Sequence, residues 1–132
     1  MVTPYEKIEP DLVVKKGDYL APDPLADDLS IVIDADFGLV VVSGCAHRGI
    51  VNHVRRAMSL TGRKEVFAVF GGTHLLRSKE DAVSKTSAEL LSLSVQKLCV
   101  SHCTGFFASA QLARDFGDRF FLNNCGTVTT LP

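Results

Sequence analysis

An α/β fold with a largely parallel sheet is what this 132-residue sequence predicts. Short β-rich runs alternate with helical segments of about 10 to 15 residues, the signature of βα units. Glycines stand at the ends of those segments, as at Gly62 and Gly117. No low-complexity tract or proline-rich linker divides the chain, so 1–132 reads as a single domain in which 1–29 form an irregular lead-in.

The lead-in carries Pro4, Pro10, Gly17, Pro22 and Pro24, and allows one short strand around Leu12 to Lys15 before a Gly17-Asp18 turn. "APDPLADD" (21–28) reads as a polar, proline-broken loop. "SIVID" (30–34) and "GLVVVSG" (38–44) are apolar, β-branched runs separated by Ala35-Asp36-Phe37. They predict an antiparallel hairpin, with Gly38 supplying the unusual backbone angles. Over 49–61, Ile50, Val51, Val54, Ala57 and Met58 recur at helical spacing until Gly62. "EVFAVFGG" (65–72) is a buried strand. Ser78 followed by Asp81 predicts a capping box for a helix to about Ser92. "KLCVSH" (97–102) is the next strand and "GFFASAQLARDFG" (105–117) the third helix. "RFFLN" and "TVTTL" are expected as closing strands around a turn at Asn123-Asn124.

With 46% hydrophobic and 22% charged residues and a net charge of −1, the composition suits a globular domain and gives no electrostatic case for nucleic acid or an anionic membrane. No apolar run approaches the ~18 residues of a membrane span. The first residues lack a signal-peptide layout. Cys45, Cys99, Cys103 and Cys125 form no CxxC pair, so reduced thiols and a cytoplasmic location are expected.

Three of the four histidines end strands. His47 follows 39–43, His74 follows 65–70 and His102 follows 97–101, each one βα unit after the last. Parallel strands joined this way bring their C-terminal ends to one edge, where open α/β sheets bind ligands. Imidazole is a common zinc ligand, and catalytic zinc sites use three protein ligands with one position open. His47, His74 and His102 are therefore the candidate metal ligands. Gly44 and Gly71-Gly72 provide the sharp exits that turn them to the rim. The ordinary alternative is three unconnected polar loop residues, against which the recurrence argues. His53 lies among Asn52, Arg55 and Arg56 on a polar helix face and is expected to meet solvent. Thr104 and Gly105 open a helix and Arg48 begins another; these are candidate substrate or anion contacts, or simply a cap and a solvated arginine. Cys45 and Cys103 are either thiolate ligands or small packing residues in tight loops, the second being the reading preferred from sequence.

"SGCAHRGIVN" (43–52), "VFGGTHL" (69–75) and "SHCTGF" (101–106), in that order, resemble the C-terminal half of the metallo-β-lactamase superfamily. The branch most resembled is that of the dihydropterin-methyl-ribofuranosylaminobenzene-phosphate synthases, which "DPLADDLSIVID" (23–34) also resembles. The resemblance runs over nearly the whole chain. It implies half of an αββα sandwich, with a metal pair, usually zinc, at one edge between two βα halves. It matches His47 to the first histidine of the second half and His102 to the last. His74 falls in the middle motif, where most members have an aspartate. The chain has no HxHxDH motif, which the first half of the family's site supplies. The resemblance thus implies the C-terminal portion of a metal-dependent hydrolase or transferase, acting on a phosphorylated or pterin-like small molecule. An HxHxDH-bearing chain or a second copy would complete it. The alternatives are a degenerate, non-catalytic metal- or ligand-binding module that oligomerises, and a fragment of a longer product. Zinc or another divalent transition metal is the expected cofactor, in a site left incomplete by the missing half; no catalytic acid or base is assigned.

Overall fold

A computed structural model describes residues 3–132. Strands β1 (Val13–Lys16) and β2 (Tyr19–Pro22) form a separate hairpin around Gly17-Asp18. The main sheet holds β3 (Ser30–Ala35), β4 (Gly38–Ser43), β5 (Val66–Gly72), β6 (Lys97–Ser101) and β7 (Phe120–Leu122), in that spatial order. Only the β3–β4 pair is antiparallel; β4 through β7 run parallel. Helices α1 (Ile50–Thr61), α2 (Glu80–Ser92) and α3 (Phe106–Phe116) make the crossovers.

Period-two patterning explains how the sheet divides its side chains. Leu39 and Val41 of β4, Val66 and Val69 of β5, and Leu98 and Val100 of β6 join one core with the buried faces of all three helices. Ile50, Val51, Val54 and Ala57 are the α1 contribution, as their spacing predicts. Each fully buried valine or leucine there stabilises the fold by about 2 kcal/mol relative to exposure. The opposite face carries Val40, Phe67 and Ala68, with Phe37, Val42, Phe70 and Leu131 against them. Among the described residues, no helix covers that face. At its margins Ile31, Ile33 and Phe121 stay 61%, 46% and 44% exposed.

The start of α1 is fastened from outside. Its N-cap is Gly49, at φ 97, which has no side chain to offer the free N–H groups. The Glu6 carboxylate, from the lead-in, accepts Val51 N–H at 2.8 Å and Asn52 N–H at 3.0 Å. A Cβ on Gly49 would lie 2.3 Å from Glu6, so the glycine is what admits this distant cap. Thr3 N–H donates to Asn52 Oδ1 at 2.8 Å and its hydroxyl to Glu6 at 2.9 Å. Burial raises the Glu6 carboxyl above its ordinary value, with the Val51, Thr3 and Asn52 hydrogen bonds opposing.

Three local expectations change. The lead-in contains a second strand, β2, which uses Ala21 and Pro22 of the expected loop. The Ser78 capping box does not form: α2 begins after Lys79 with no side-chain cap, and Glu80 and Asp81 favour its N-terminus by charge. "TVTTL" is not a strand. Asn123 N–H instead bonds Val100 O at 2.7 Å, which ends the β7 pairing, and Val128 is 89% exposed. Those five residues have strand propensity, yet they pair with no strand of the sheet. Among the described residues, no helix is long and apolar enough to cross a membrane.

Candidate metal centre

The rim is built where β4, β5 and β6 end. Ser43, the last residue of β4, directs its hydroxyl to Gly72 O at 2.9 Å and Phe70 O at 3.2 Å. Gly72 N–H returns a bond to Gly44 O at 2.9 Å. This stitching brings the two strand exits so close that a Cβ on Gly71 would lie 2.0 Å from Ser43 O. One at Gly72 would meet Cys103 Sγ at 2.5 Å and His102 Cε1 at 2.7 Å. The double glycine therefore serves packing of the rim as well as turning.

Beyond these exits, His47 and His74 stack, with ring centroids 3.9 Å apart at 42°. His47 Nδ1 and both ring nitrogens of His74 are buried without hydrogen-bond partners. Glu9, from the lead-in, places Oε1 3.5 Å from His74 Nε2, within ion-pair reach but outside hydrogen-bond geometry. Leaving such nitrogens unpaired costs about 1–3 kcal/mol each, and in each neutral ring one of the two nitrogens carries a lone pair that a metal ion could accept. The donor set fits a divalent transition metal.

His102 turns elsewhere. Its Nε2 lies 3.0 Å from Cys45 Sγ and its Nδ1 3.1 Å from Ser101 Oγ. Cys103 Sγ accepts His74 N–H at 3.3 Å and sits 3.6 Å from Cys45 O. The ligand atoms of Cys45, His102 and Cys103 all lie within 4.8 Å of one another. Burial pushes the Cys103 thiol up to about 11; the His74 N–H opposes this and Cys45 adds to it. Two of the three sequence-chosen histidines thus meet directly. The third keeps company with two cysteines for which the packing reading was preferred. His74 and His102 hold φ values of 50° and 25°, and Ala46, before His47, one of 53°. Three non-glycine residues in this sparsely populated region lie within one rim, a concentration of backbone strain.

The anion contacts chosen from sequence divide. Thr104 is 1% exposed, and its hydroxyl is engaged by Thr73 at 2.9 Å, so its side chain ties β5's loop to β6's and is closed to a ligand. Gly105 lines a cavity of about 350 Å³ with Ser101, His102 and Phe106. Arg48 lines another, of about 590 Å³, whose wall includes Lys7, His53 and Arg56 but none of the rim histidines. His53 does not face solvent as expected. Its side chain is 9% exposed, with Nε2 donating to Asp28 at 3.0 Å and Nδ1 2.6 Å from Ser30 Oγ. Asp28 also accepts Arg48 N–H at 2.8 Å. The loop before β3 folds over the start of α1, a tertiary contact that helical spacing cannot express. Glu9 was missed for the same reason, since it lies far upstream of His74. The Cys45–His102–Cys103 cluster had a visible signal: Cys103 stands beside His102 and Cys45 two residues before His47.

With histidines at successive strand ends of a half-sandwich, the chain has the metallo-β-lactamase fold. It is similar to a metal-dependent hydrolase of the β-lactamase superfamily, with a TM-score of 0.79 and 30% identity over 87% of this chain and 44% of that one. It is also 35% identical, over 106 residues, to 7,8-dihydropterin-6-methyl-4-(β-D-ribofuranosyl)-aminobenzene-5'-phosphate synthase of Methanocaldococcus jannaschii. That match takes in 80% of this chain and 36% of the synthase, so the chain spans about a third of its curated relative's length. No family profile matches the chain.

Proposed function

We propose that the chain is the C-terminal portion of a metal-dependent hydrolase or transferase, completed by a polypeptide that supplies an HxHxDH motif. The observation that carries this reading is the stacked His47–His74 pair, whose buried ring nitrogens have no partner. His47 and His74 would hold the ion, zinc being the first choice, and His102 would join them by turning from Cys45. When bound, such an ion supplies Lewis acidity to a substrate oxygen. Glu9 holds a carboxylate 3.5 Å from His74 Nε2, close enough to orient that ring if the two draw together. Phe106, 79% exposed at the mouth of the cavity that contains His102, offers a flat face for an aromatic ring. With the phosphate and pterin in the synthase's name, this favours a phosphorylated or pterin-like small molecule. The uncovered apolar face with Ile31, Ile33 and Phe121 supports a completing half, from another chain or a second copy.

The test mixes the purified chain with an HxHxDH-bearing half taken from a relative. Metal content and phosphodiesterase turnover are then measured, with His47→Ala and His102→Ala alongside. Turnover that needs both halves and both histidines is expected. Full activity from this chain alone, or no metal in the complemented pair, overturns the proposal. A second reading rests on the same uncovered face: a non-catalytic module that self-associates and binds metal or ligand without turnover, even when complemented.

A further inference from the structure

We infer that the cavity between the lead-in, β3 and α1 is a second ligand site, separate from the metal rim, for an organic anion with a phosphate head and an apolar body. It encloses about 590 Å³, and no rim histidine or cysteine lines it. That volume lies within the ~300–1,000 Å³ usual for small-molecule pockets. The inference does not rest on the metal chemistry proposed above.

The walls carry more positive charge than the fold uses. Lys7 comes from the lead-in, Arg48 from the turn before α1 and Arg56 from the helix itself. The two carboxylates in the lining, Glu6 and Asp28, are committed elsewhere. Glu6 accepts the Val51 and Asn52 N–H groups and the Thr3 hydroxyl, while Asp28 takes His53 and the Arg48 backbone N–H. None of these bonds engages the three cationic side chains. The other arginines all have partners. Arg55, Arg63, Arg77 and Arg114 meet carboxylates, and Arg119 lies over the Phe116 ring. Among the described residues, the guanidinium groups of Arg48 and Arg56 alone have neither an ion pair nor a ring, and both line this cavity.

A guanidinium presents a planar fork of N–H donors that matches phosphate oxygens, often two at a time. A phosphate monoester, close to doubly charged at neutral pH, answers two such forks and an ammonium. The rest of the lining explains why the ligand has a body as well as a head. Ile8, Val32 and Leu60 give apolar surface, and Leu60 is 64% exposed. An inorganic ion leaves that surface wet, whereas an attached apolar group covers it. His53 is a fixed part of the wall, since Asp28 and Ser30 occupy both of its ring nitrogens. With Lys7 on the lead-in and the arginines at α1, a bound anion bridges the segment to the helix that Glu6 caps.

The test uses the chain alone, with a chelator to keep metal from the rim, and 1-naphthyl phosphate as the probe. Fluorescence titration is expected to show it binding at least about tenfold more tightly than inorganic phosphate or 1-naphthol. Amide shifts should cluster at Lys7, Val32 and Leu60 and spare Phe106 and Leu122 of the other cavity. Arg48→Gln and Arg56→Gln, both at exposed positions, should each weaken binding by about tenfold. The rise in melting temperature that the probe produces should shrink in step. Arg119→Gln should change neither. The shift map comes from the unmodified chain and stands whether or not a variant folds. Inorganic phosphate or 1-naphthol binding as tightly as the probe overturns the inference. So do shifts centred on Phe106, undiminished binding in both cavity-arginine variants, or no binding at all. Turnover by the complemented pair is read separately with metal present, so failure of that reading leaves this site untouched, and the reverse holds.

Discussion

Gly71→Ala is the sharpest test of how the rim is built. The new Cβ would lie 2.0 Å from the backbone oxygen of Ser43 and 2.8 Å from its Oγ, and φ at Gly71 is +116°. Neither atom is the end of a flexible side chain, because Ser43 is the register partner of Gly71 between β4 and β5 and its hydroxyl joins Phe70 O and Gly72 O. The backbone angle alone costs about 1–3 kcal/mol. Relieving the overlap breaks one or two sheet-end hydrogen bonds at about 1 kcal/mol each. The total, about 4 kcal/mol, is a large part of the roughly 5–15 kcal/mol that holds such domains together. Urea unfolding should show an earlier midpoint with an unchanged slope, and thermal melting a fall of roughly 15 °C. Gly17→Ala is the control: its φ is +62° with nothing within 4 Å of the added carbon, so only about 1–2 kcal/mol of backbone strain is expected. Equal losses in the two variants would falsify the argument that close approach, rather than backbone angle, dictates the glycine at 71.

Glu6→Ala should destabilise the protein by about 1–2 kcal/mol through loss of the α1 cap. Because burial raises the Glu6 carboxyl in the folded state, its contribution is greatest below its ordinary 4.5 and declines as pH rises through the raised value. The deficit of the variant, read by denaturant titration, should therefore be larger at acid pH than at neutral pH; a deficit that grows with pH contradicts the burial argument. Glu9→Gln should lower zinc affinity at the rim by about tenfold, measured by competition with a chelating dye, while stability changes by less than about 1 kcal/mol. Unaltered affinity would remove Glu9 from the site. Ile31→Glu with Ile33→Glu places charge on the uncovered sheet face, and light scattering should show weakened association with a second copy or a completing half. Association as strong as in the unmodified chain would mean that the partner sits elsewhere.

Local chemistry made much of this fold legible. The β3–β4 hairpin, the α1 stripe from Ile50 to Ala57 and the stops at Gly62 and Gly117 are set by neighbours within a few residues, and the structure shows each of them. What escaped was set by distant partners. The α1 cap comes from Glu6, His53 is drawn in by Asp28 and Ser30, and Glu9 reaches His74 from the lead-in. "TVTTL" shows the converse, since strand propensity by itself produced no strand there. At the rim, spacing was enough to bring three strand-end histidines to mind. Which of them meet was decided by side-chain direction: His47 and His74 stack while His102 swings to Cys45. Periodicity carries no information about that choice.

The borrowed cap on α1 also has a kinetic consequence. The first turn of that helix is secured by a contact that closes a loop of 45 residues, from Glu6 to Val51, so lifting the lead-in frees that turn while the sheet stays intact. The amides of Val51 and Asn52 should then exchange with solvent through this partial opening, with a lower free energy than the Val54 amide one turn further in, which waits for cooperative unfolding. Those two amides would make the docking of the N-terminal segment observable in the native protein, separately from the stability of the domain it fastens.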